Sequence, residues 1–148
     1  MTSISQQKYS VLIFEDDLDL ATQWRNEFDS RGVHVEHANS ISLAKVFCNR
    51  QRFDLVITDI FVKDTMGRLL PEGGITLLQY MRQPELKQFP AWCAKVPKIA
   101  ITGAPVVNQH DILKLAEEYG CTYTARKPFS ADYLVDISLE IMLRNEQV

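Results

Sequence analysis

The sequence predicts a doubly wound α/β fold, in which helices cover both faces of a five-stranded parallel sheet. Short apolar runs rich in β-branched residues alternate with longer segments whose apolar residues recur at helical spacing. Most of these short runs are apolar throughout, which is typical of parallel strands buried on both faces. Strands that alternate with helices in this way form a three-layer sandwich.

The first half of the chain contains three predicted strands. They are expected at residues 11–14, 33–37 and 55–59, with helices at about residues 17–30 and after residue 40. Leu20, Trp24 and Phe28 recur every four residues and form one apolar stripe on the first helix. The strand at 33–37 alternates apolar and polar residues, which predicts that it is half-exposed.

The second half contains two further strands and two long connections. The strands are expected at residues 98–102 and 121–126, and helices are expected from about Gly74, at residues 108–119 and after Ser130. Residues 60–74 form a long loop without clear periodicity, well beyond the usual two to six residues of a strand-to-helix connection. Pro84, Pro90 and Pro97 interrupt the second long connection, where a short helical turn is expected.

Composition indicates one soluble, cytoplasmic domain. The 148 residues are 46% hydrophobic and 24% charged, and no apolar run approaches the ~20 residues of a membrane span. We expect residues 1–8 to be a polar lead-in and residues 9–148 to be the domain. The net charge of −3 argues against direct nucleic-acid binding. Three isolated cysteines predict buried or half-buried thiols and no disulfide framework.

Polar residues follow four of the predicted strands, and in a parallel sheet these strand ends meet at one edge. The first strand ends in Glu15, Asp16 and Asp17, and the third ends in Asp59. Like charges this close together are unfavourable unless a cation or a proton offsets them. Because the group contains oxygen ligands and no histidine, it suits a hard cation such as Mg²⁺. Alternation at the strand end predicts that Asp17 points away from this group.

The fourth and fifth strands bring a hydroxyl and an ammonium to the same edge. Thr102 precedes two small residues, and Lys127 precedes Pro128, so that the Lys127–Pro128 bond is a candidate cis peptide. The residues alone leave two roles open for Lys127: it is either a salt-bridge partner of the acids or a clamp for a phosphoryl oxygen. Asp59 is of a type that accepts phosphoryl groups, and Lys and Thr donors would stabilise the transferring charge.

These motifs together resemble the receiver domain of two-component response regulators. The matching segments, at residues 11–17, 56–59, 101–103 and 127–129, follow one another in order, each at a strand end. The resemblance extends from about Tyr9 to Leu143. It implies the flavodoxin-like, CheY-like fold with strand order 2-1-3-4-5, which places the first and third strands side by side.

The resemblance also implies a role for each site residue. Asp59 would accept a phosphoryl group from a sensor histidine kinase or a phosphotransfer protein, and the domain would assist this transfer without being an enzyme in its own right. Mg²⁺ would be held by Asp16, Asp59 and the backbone carbonyl of Phe61, with Glu15 acting mainly through water. Thr102 would hydrogen-bond the phosphoryl group, and Lys127 would pair with its oxygens.

The chain departs from the family pattern in the residues expected to couple movement of Thr102 to the rest of the domain. The aromatic residue that the family carries on its last strand falls on Thr124 here, and Tyr123, one residue earlier, would face the opposite side. The proline expected four residues after the acceptor is replaced by Lys63, and the loop from there to Gly74 is longer than usual by about seven residues. The connection before the fourth strand is extended as well, and these extensions are either an added lid or partner surface or tolerated surface insertions.

Three functions remain open from the sequence. The first is a phosphorylated switch whose output is a protein partner bound by the face of the predicted fourth helix, fifth strand and fifth helix, with a homodimer possible. The second is a receiver-like interaction module that does not depend on phosphorylation. The third, a Mg²⁺-dependent phosphatase, lacks the second carboxylate expected two residues after the nucleophile, where Phe61 stands.

Overall fold

The chain folds around one five-stranded parallel sheet. The structure, a computed structural model, describes residues 8–60, 73–103, 114 and 117–147. The strand order is β2-β1-β3-β4-β5, which confirms the predicted doubly wound architecture. The strands are β1 (Tyr9–Phe14), β2 (Val33–Ala38), β3 (Leu55–Asp59), β4 (Lys98–Thr102) and β5 (Tyr123–Arg126).

Helices follow β1, β2, β3 and β5, as the alternating pattern predicts. They are α1 (Leu18–Ser30), α2 (Ile41–Arg50), α3 (Gly74–Arg82) and a C-terminal helix (Ala131–Glu146). The connection before β4 contains two 3₁₀ helices, Pro84–Lys87 and Ala91–Ala94, where one short turn was expected. The predicted helix at residues 108–119 and the loop at residues 60–74 lie largely outside the described residues.

Side-chain caps fix where three of the helices begin. Asp17 precedes α1 and accepts a hydrogen bond from the backbone N–H of Leu20. Ser40 and Ser130 cap α2 and the C-terminal helix in the same way. Such a cap satisfies a backbone donor that has no partner within the helix. Gly32 follows α1 at φ +75°, a left-handed conformation that glycine adopts at little cost.

Two apolar layers enclose the sheet and complete the three-layer sandwich. On one face, Trp24 and Phe28 of α1 pack with Leu134 and Val135 of the C-terminal helix. On the other face, α2 and α3 pack with the segment before β4; this layer includes Ala44, Cys48, Leu77, Met81, Phe89 and Cys93.

Free thiols are confirmed at all three cysteines: Cys48 and Cys93 are buried, and Cys121 is half-buried. Among the described residues, no helix has the length and apolar character needed to cross a membrane.

Candidate functional site

The register of the sheet brings the predicted site residues to one edge. Phe14 of β1 pairs with Thr58 of β3, so that the residues that follow them, Glu15 and Asp59, are neighbours. Asp59 in turn pairs with Ile101 of β4, and Thr102 comes next. Thr102 pairs with Arg126 of β5, which is followed by Lys127.

Three carboxylates form a compact group at this edge. Glu15, Asp16 and Asp59 each offer one oxygen, and these oxygens all lie within 4.8 Å of one another. Glu15 is 0% exposed and Asp59 is 5% exposed, whereas Asp16 is half-buried. Because burial disfavours the ionised form of a carboxyl, these largely buried carboxylates need a positively charged partner.

Lys127 supplies one positive charge to the group. Its Nζ donates a hydrogen bond of 2.9 Å to Oδ2 of Asp59 and lies 3.0 Å from Oε1 of Glu15. Burial lowers the pKa of Lys127, but the carboxylates of Asp59 and Glu15 outweigh that effect and raise it. Lys127 is therefore an ammonium that binds both carboxylates, as the salt-bridge alternative from the sequence predicts.

Two glycines allow the site to close tightly. A Cβ on Gly103 would lie 2.8 Å from Cδ of Lys127, so the lysine stem lies directly against this backbone. A Cβ on Gly74 would lie 1.9 Å from the carbonyl oxygen of Asp59. The first residue of α3 therefore contacts the backbone of β3 at a distance that only glycine permits. The peptide bond between Lys127 and Pro128 is cis, as expected.

Glu15 is the most strongly perturbed acid of the site. Burial, followed by the charge of Asp59, raises the pKa of Glu15 to about 8, and the ammonium of Lys127 offsets part of this increase. The backbone N–H of Asp17 also donates to Oε2 of Glu15 at 3.1 Å. Burial therefore favours the protonated form of Glu15 more than that of an exposed glutamate, and the ion pair with Lys127 opposes this effect.

Thr102 provides a buried hydroxyl beside the group. Its side chain is fully buried, and Oγ1 has no hydrogen-bond partner among the described residues. A buried hydroxyl without a partner is unfavourable by about 1–3 kcal/mol. Such a hydroxyl fits a site that receives a further oxygen-bearing group.

The donor set fits a hard divalent cation. Carboxylate oxygens alone make up the acidic group, and Mg²⁺ prefers one or two carboxylates together with retained waters. If all three acids are ionised, three negative charges face the single positive charge of Lys127. A divalent cation would balance the remainder.

The structure also places Asp17 and His37 in contact with Glu15. Asp17 caps α1 and is absent from the acidic group, as strand alternation predicts. His37, at the end of β2, lies with Nε2 2.6 Å from the backbone carbonyl oxygen of Glu15. No pattern in the sequence predicts this contact. It arises because β2 and β1 end side by side. The metal role expected for the carbonyl of Phe61 lies outside the described residues.

β5 carries Thr124 at the position where the family resemblance implies an aromatic residue. Thr124 is half-buried in β5, while the hydroxyl of Tyr123 lies 2.7 Å from that of Tyr133 in the C-terminal helix. Tyr123 therefore faces the C-terminal helix. Thr124 lies on the other face of the sheet.

The fold, with its order of strands, is that of response regulator receiver domains. The chain is similar to the signal receiver domain of a putative Luxo repressor protein from Vibrio parahaemolyticus, with a TM-score of 0.73 and 20% identity over 94% of this chain and 93% of that one. It is similar to the receiver domain of the Francisella response regulator 1452, with a TM-score of 0.70 and 22% identity over 93% of this chain and 99% of that one.

Similarity also extends to part of a longer protein. The chain matches NtrX from Brucella abortus with a TM-score of 0.74 and 19% identity, over 94% of its own length and 28% of the NtrX chain. No protein-family model matches the sequence, and no curated protein does so either.

Proposed function

We propose that this chain is a phosphorylated receiver domain whose acceptor is Asp59. The observation that carries the proposal is the placement of a nearly buried Asp59 carboxylate beside an ammonium, 2.9 Å away, and two further carboxylates. This arrangement holds the nucleophile in a fixed direction and leaves an acidic group able to take a divalent cation. The receiver-domain fold supports the same function.

The proposed reaction moves one phosphoryl group between two proteins. A carboxylate oxygen of Asp59 attacks the phosphorus of a phosphohistidine in a sensor kinase or a phosphotransfer protein. A P–O bond forms as the P–N bond breaks, and the electron pair of the P–N bond returns to the imidazole nitrogen. The product is an acyl phosphate on Asp59 and a free histidine on the donor.

Asp16 and Asp59 would hold Mg²⁺ together with the backbone carbonyl of Phe61, and Glu15 would act mainly through water. The ion would supply positive charge beside the transferring oxygens. Lys127 pairs with a phosphoryl oxygen in place of part of its contact with Asp59. Thr102 donates its buried hydroxyl, which then gains a partner.

The proposed output is a change in a protein-binding face. Movement of Thr102 and Lys127 toward the phosphoryl group would shift the balance between two arrangements of β5 and the elements beside it. The face expected to bind a partner protein consists of the predicted helix at residues 108–119, β5 and the C-terminal helix.

Intact-protein mass spectrometry tests the proposal. The protein is incubated with Mg²⁺ and phosphoramidate, a small phosphodonor. We expect the mass to increase by one phosphoryl group in the wild type and to remain unchanged in Asp59→Asn. A wild-type protein that gains no mass while it binds Mg²⁺ and stays folded would contradict the proposed acceptor role.

A phosphorylation-independent interaction module is the second candidate, and Thr124 is the observation that favours it. With no aromatic residue at this position, the relay used by receiver domains is absent from β5. Titration with Mg²⁺ distinguishes the two functions. A receiver binds the ion in the wild type and loses it in Asp16→Ala, whereas a module without site chemistry shows no difference between the two proteins.

A further inference from the structure

Trp24 lies against the lysine of the proposed phosphoacceptor site. The indole, in α1, is 1% exposed, and Nζ of Lys127 lies 5.9 Å from the centroid of its ring. This distance is at the limit of a cation–π interaction, and burial strengthens such an interaction by excluding water. The ammonium that binds Asp59 therefore has the face of a buried aromatic ring on its other side.

A chain of aromatic contacts runs from this indole to the surface. Trp24 stacks on Phe129 with ring centroids 5.8 Å apart and an angle of 14° between the planes. Phe129 packs at 5.9 Å against Tyr133, whose hydroxyl lies 2.7 Å from that of Tyr123. Tyr133 and Tyr123 are 43% and 36% exposed. Four aromatic side chains therefore connect the buried site to the surface formed by β5 and the C-terminal helix.

This route lies on the other side of the sheet from Thr124. Side chains alternate along β5, so Tyr123 shares its face with Ala125. Ala125 belongs to the apolar layer beneath α1 and the C-terminal helix, which also contains Trp24. The aromatic contacts therefore occupy the layer that covers one face of the sheet, while the residue at the usual relay position lies on the opposite face.

The orientation of the indole depends on packing. Its Nε1 is buried and has no hydrogen-bond partner among the described residues. A buried N–H without an acceptor does not fix the direction of a ring, so the position of Trp24 is set by its packing neighbours, which include Phe129 and Lys127. A movement of the ammonium therefore changes one of the contacts that hold the ring.

We propose that Trp24 positions Lys127 and that the rings of Trp24, Phe129 and Tyr133 transmit the state of Lys127 to the exposed Tyr123–Tyr133 pair. This inference rests on the proposed phosphorylation of Asp59. A phosphoryl group draws the ammonium toward its oxygens and away from its present place on the indole. Because the interior is closely packed, rings in contact repack together, and the tyrosine pair changes its arrangement.

Tryptophan fluorescence tests the first contact. The chain has two tryptophans, and Trp92 packs against Phe53 in the layer on the other face of the sheet. Trp92→Phe leaves Trp24 as the single indole, and Trp24→Phe is the matched control. With Mg²⁺ and phosphoramidate, we expect the emission of Trp92→Phe to change at the rate at which its mass increases. The emission of Trp24→Phe remains constant while its mass increases.

The positioning role predicts a graded effect on the rate. Trp24→Leu removes the aromatic face beside Lys127 and is expected to slow phosphoryl uptake severalfold. Trp24→Phe restores part of the rate because a ring is again present. Equal rates in the wild type and Trp24→Leu would overturn the positioning role.

Fluorine NMR tests the far end of the route. Proteins are labelled with 3-fluorotyrosine, and the resonances of the pair are assigned with Tyr123→Phe and Tyr133→Phe. We expect both resonances to shift on phosphorylation of the wild type and to stay in place in phosphorylated Phe129→Leu. If Phe129→Leu does not fold, Tyr133→Phe, which alters an exposed residue, is expected to abolish the shift at Tyr123.

The outcomes separate this inference from the function on which it rests. A wild type that gains the phosphoryl group without any change at Trp24 or at the tyrosine pair overturns the aromatic route and leaves the acceptor role intact. Shifts of the same size in phosphorylated Phe129→Leu also overturn it. A wild type that gains no phosphoryl group overturns both proposals.

Discussion

The ammonium of Lys127 donates a hydrogen bond of 2.9 Å to Oδ2 of Asp59, which lies 68 residues earlier in the chain. The same ammonium is 3.0 Å from the fully buried carboxylate of Glu15. One positive charge therefore holds two acids from different strands together.

Asp16 and Asp17 are adjacent in the chain but are expected to have different functions. Asp16 belongs to the acidic group, and Asp17 caps α1 through the N–H of Leu20. We expect Asp16→Ala to abolish Mg²⁺ binding in a calorimetric titration. Asp17→Ala is expected to retain binding and to lose about 1 kcal/mol of stability in urea unfolding, because a helix cap is removed. Equal Mg²⁺ affinity in the two variants would contradict this division of roles.

Removal of the Lys127 charge is expected to slow phosphoryl transfer. Lys127→Met keeps much of the side-chain volume but leaves Glu15 and Asp59 without their ammonium. The rate of uptake from phosphoramidate is expected to fall by about a hundredfold, since one preorganised charge at the reacting oxygens is lost. Arg126→Ala, which removes the exposed cation next to it in the chain, serves as the control and is expected to react at the wild-type rate.

Glu15 is expected to make the metal-free protein less stable as the pH rises. Burial and the charge of Asp59 raise the pKa of Glu15 to about 8, above its ordinary value of 4.5. Between these values the folded state retains a proton that the unfolded state has released. The free energy of unfolding therefore falls as the pH increases through this range.

Urea unfolding in the presence of EDTA, from pH 5 to pH 8, measures this effect. Glu15→Gln removes the titrating group and is expected to flatten the decrease seen in the wild type. Glu85→Gln, at an exposed glutamate, is expected to leave the slope unchanged. A slope that is the same in Glu15→Gln and the wild type would show that another group is responsible.

Gly74 is expected to be intolerant of a side chain. A Cβ at this position would lie 1.9 Å from the carbonyl oxygen of Asp59, so α3 or the end of β3 must move. Gly74→Ala is expected to lower the free energy of unfolding by about 1–3 kcal/mol and to slow phosphoryl uptake. Gly32→Asn is the control, because no atom lies within 4 Å of its Cβ and asparagine tolerates a positive φ. Similar stability losses in the two variants would argue against a specific contact at Gly74.

Much of this architecture follows from patterns that are local in the chain. Short apolar runs ending in Asp59 and Thr102 predict both the strands and the edge at which their polar ends meet, because parallel strands end on the same side. The different places of Asp16 and Asp17 follow from alternation and capping.

Contacts that depend on tertiary packing were not predicted. The contact of His37 with the carbonyl of Glu15 requires β2 to lie beside β1, and the approach of Trp24 to Lys127 requires α1 to pack beneath the end of β5. The sequence predicts only that a helix starts near Gly74. The constraint on this glycine comes from the backbone of Asp59 in β3, which is distant in the sequence. Of the two 3₁₀ helices before β4, the first begins at Pro84 and the second directly after Pro90. The spacing of the prolines indicates an interruption but does not specify the turn.

Chemical trapping of the product tests most directly whether Asp59 is the residue that accepts the phosphoryl group. Borohydride reduction after reaction with phosphoramidate and Mg²⁺ converts an acyl phosphate to the corresponding alcohol, and peptide mass spectrometry then locates the altered residue. If Asp59 is the acceptor, homoserine is expected at position 59 in the wild type and no altered residue in Asp59→Asn. Reduction at Asp16 or Asp17 instead, or no reduced residue in a protein that has gained a phosphoryl group, would contradict this assignment.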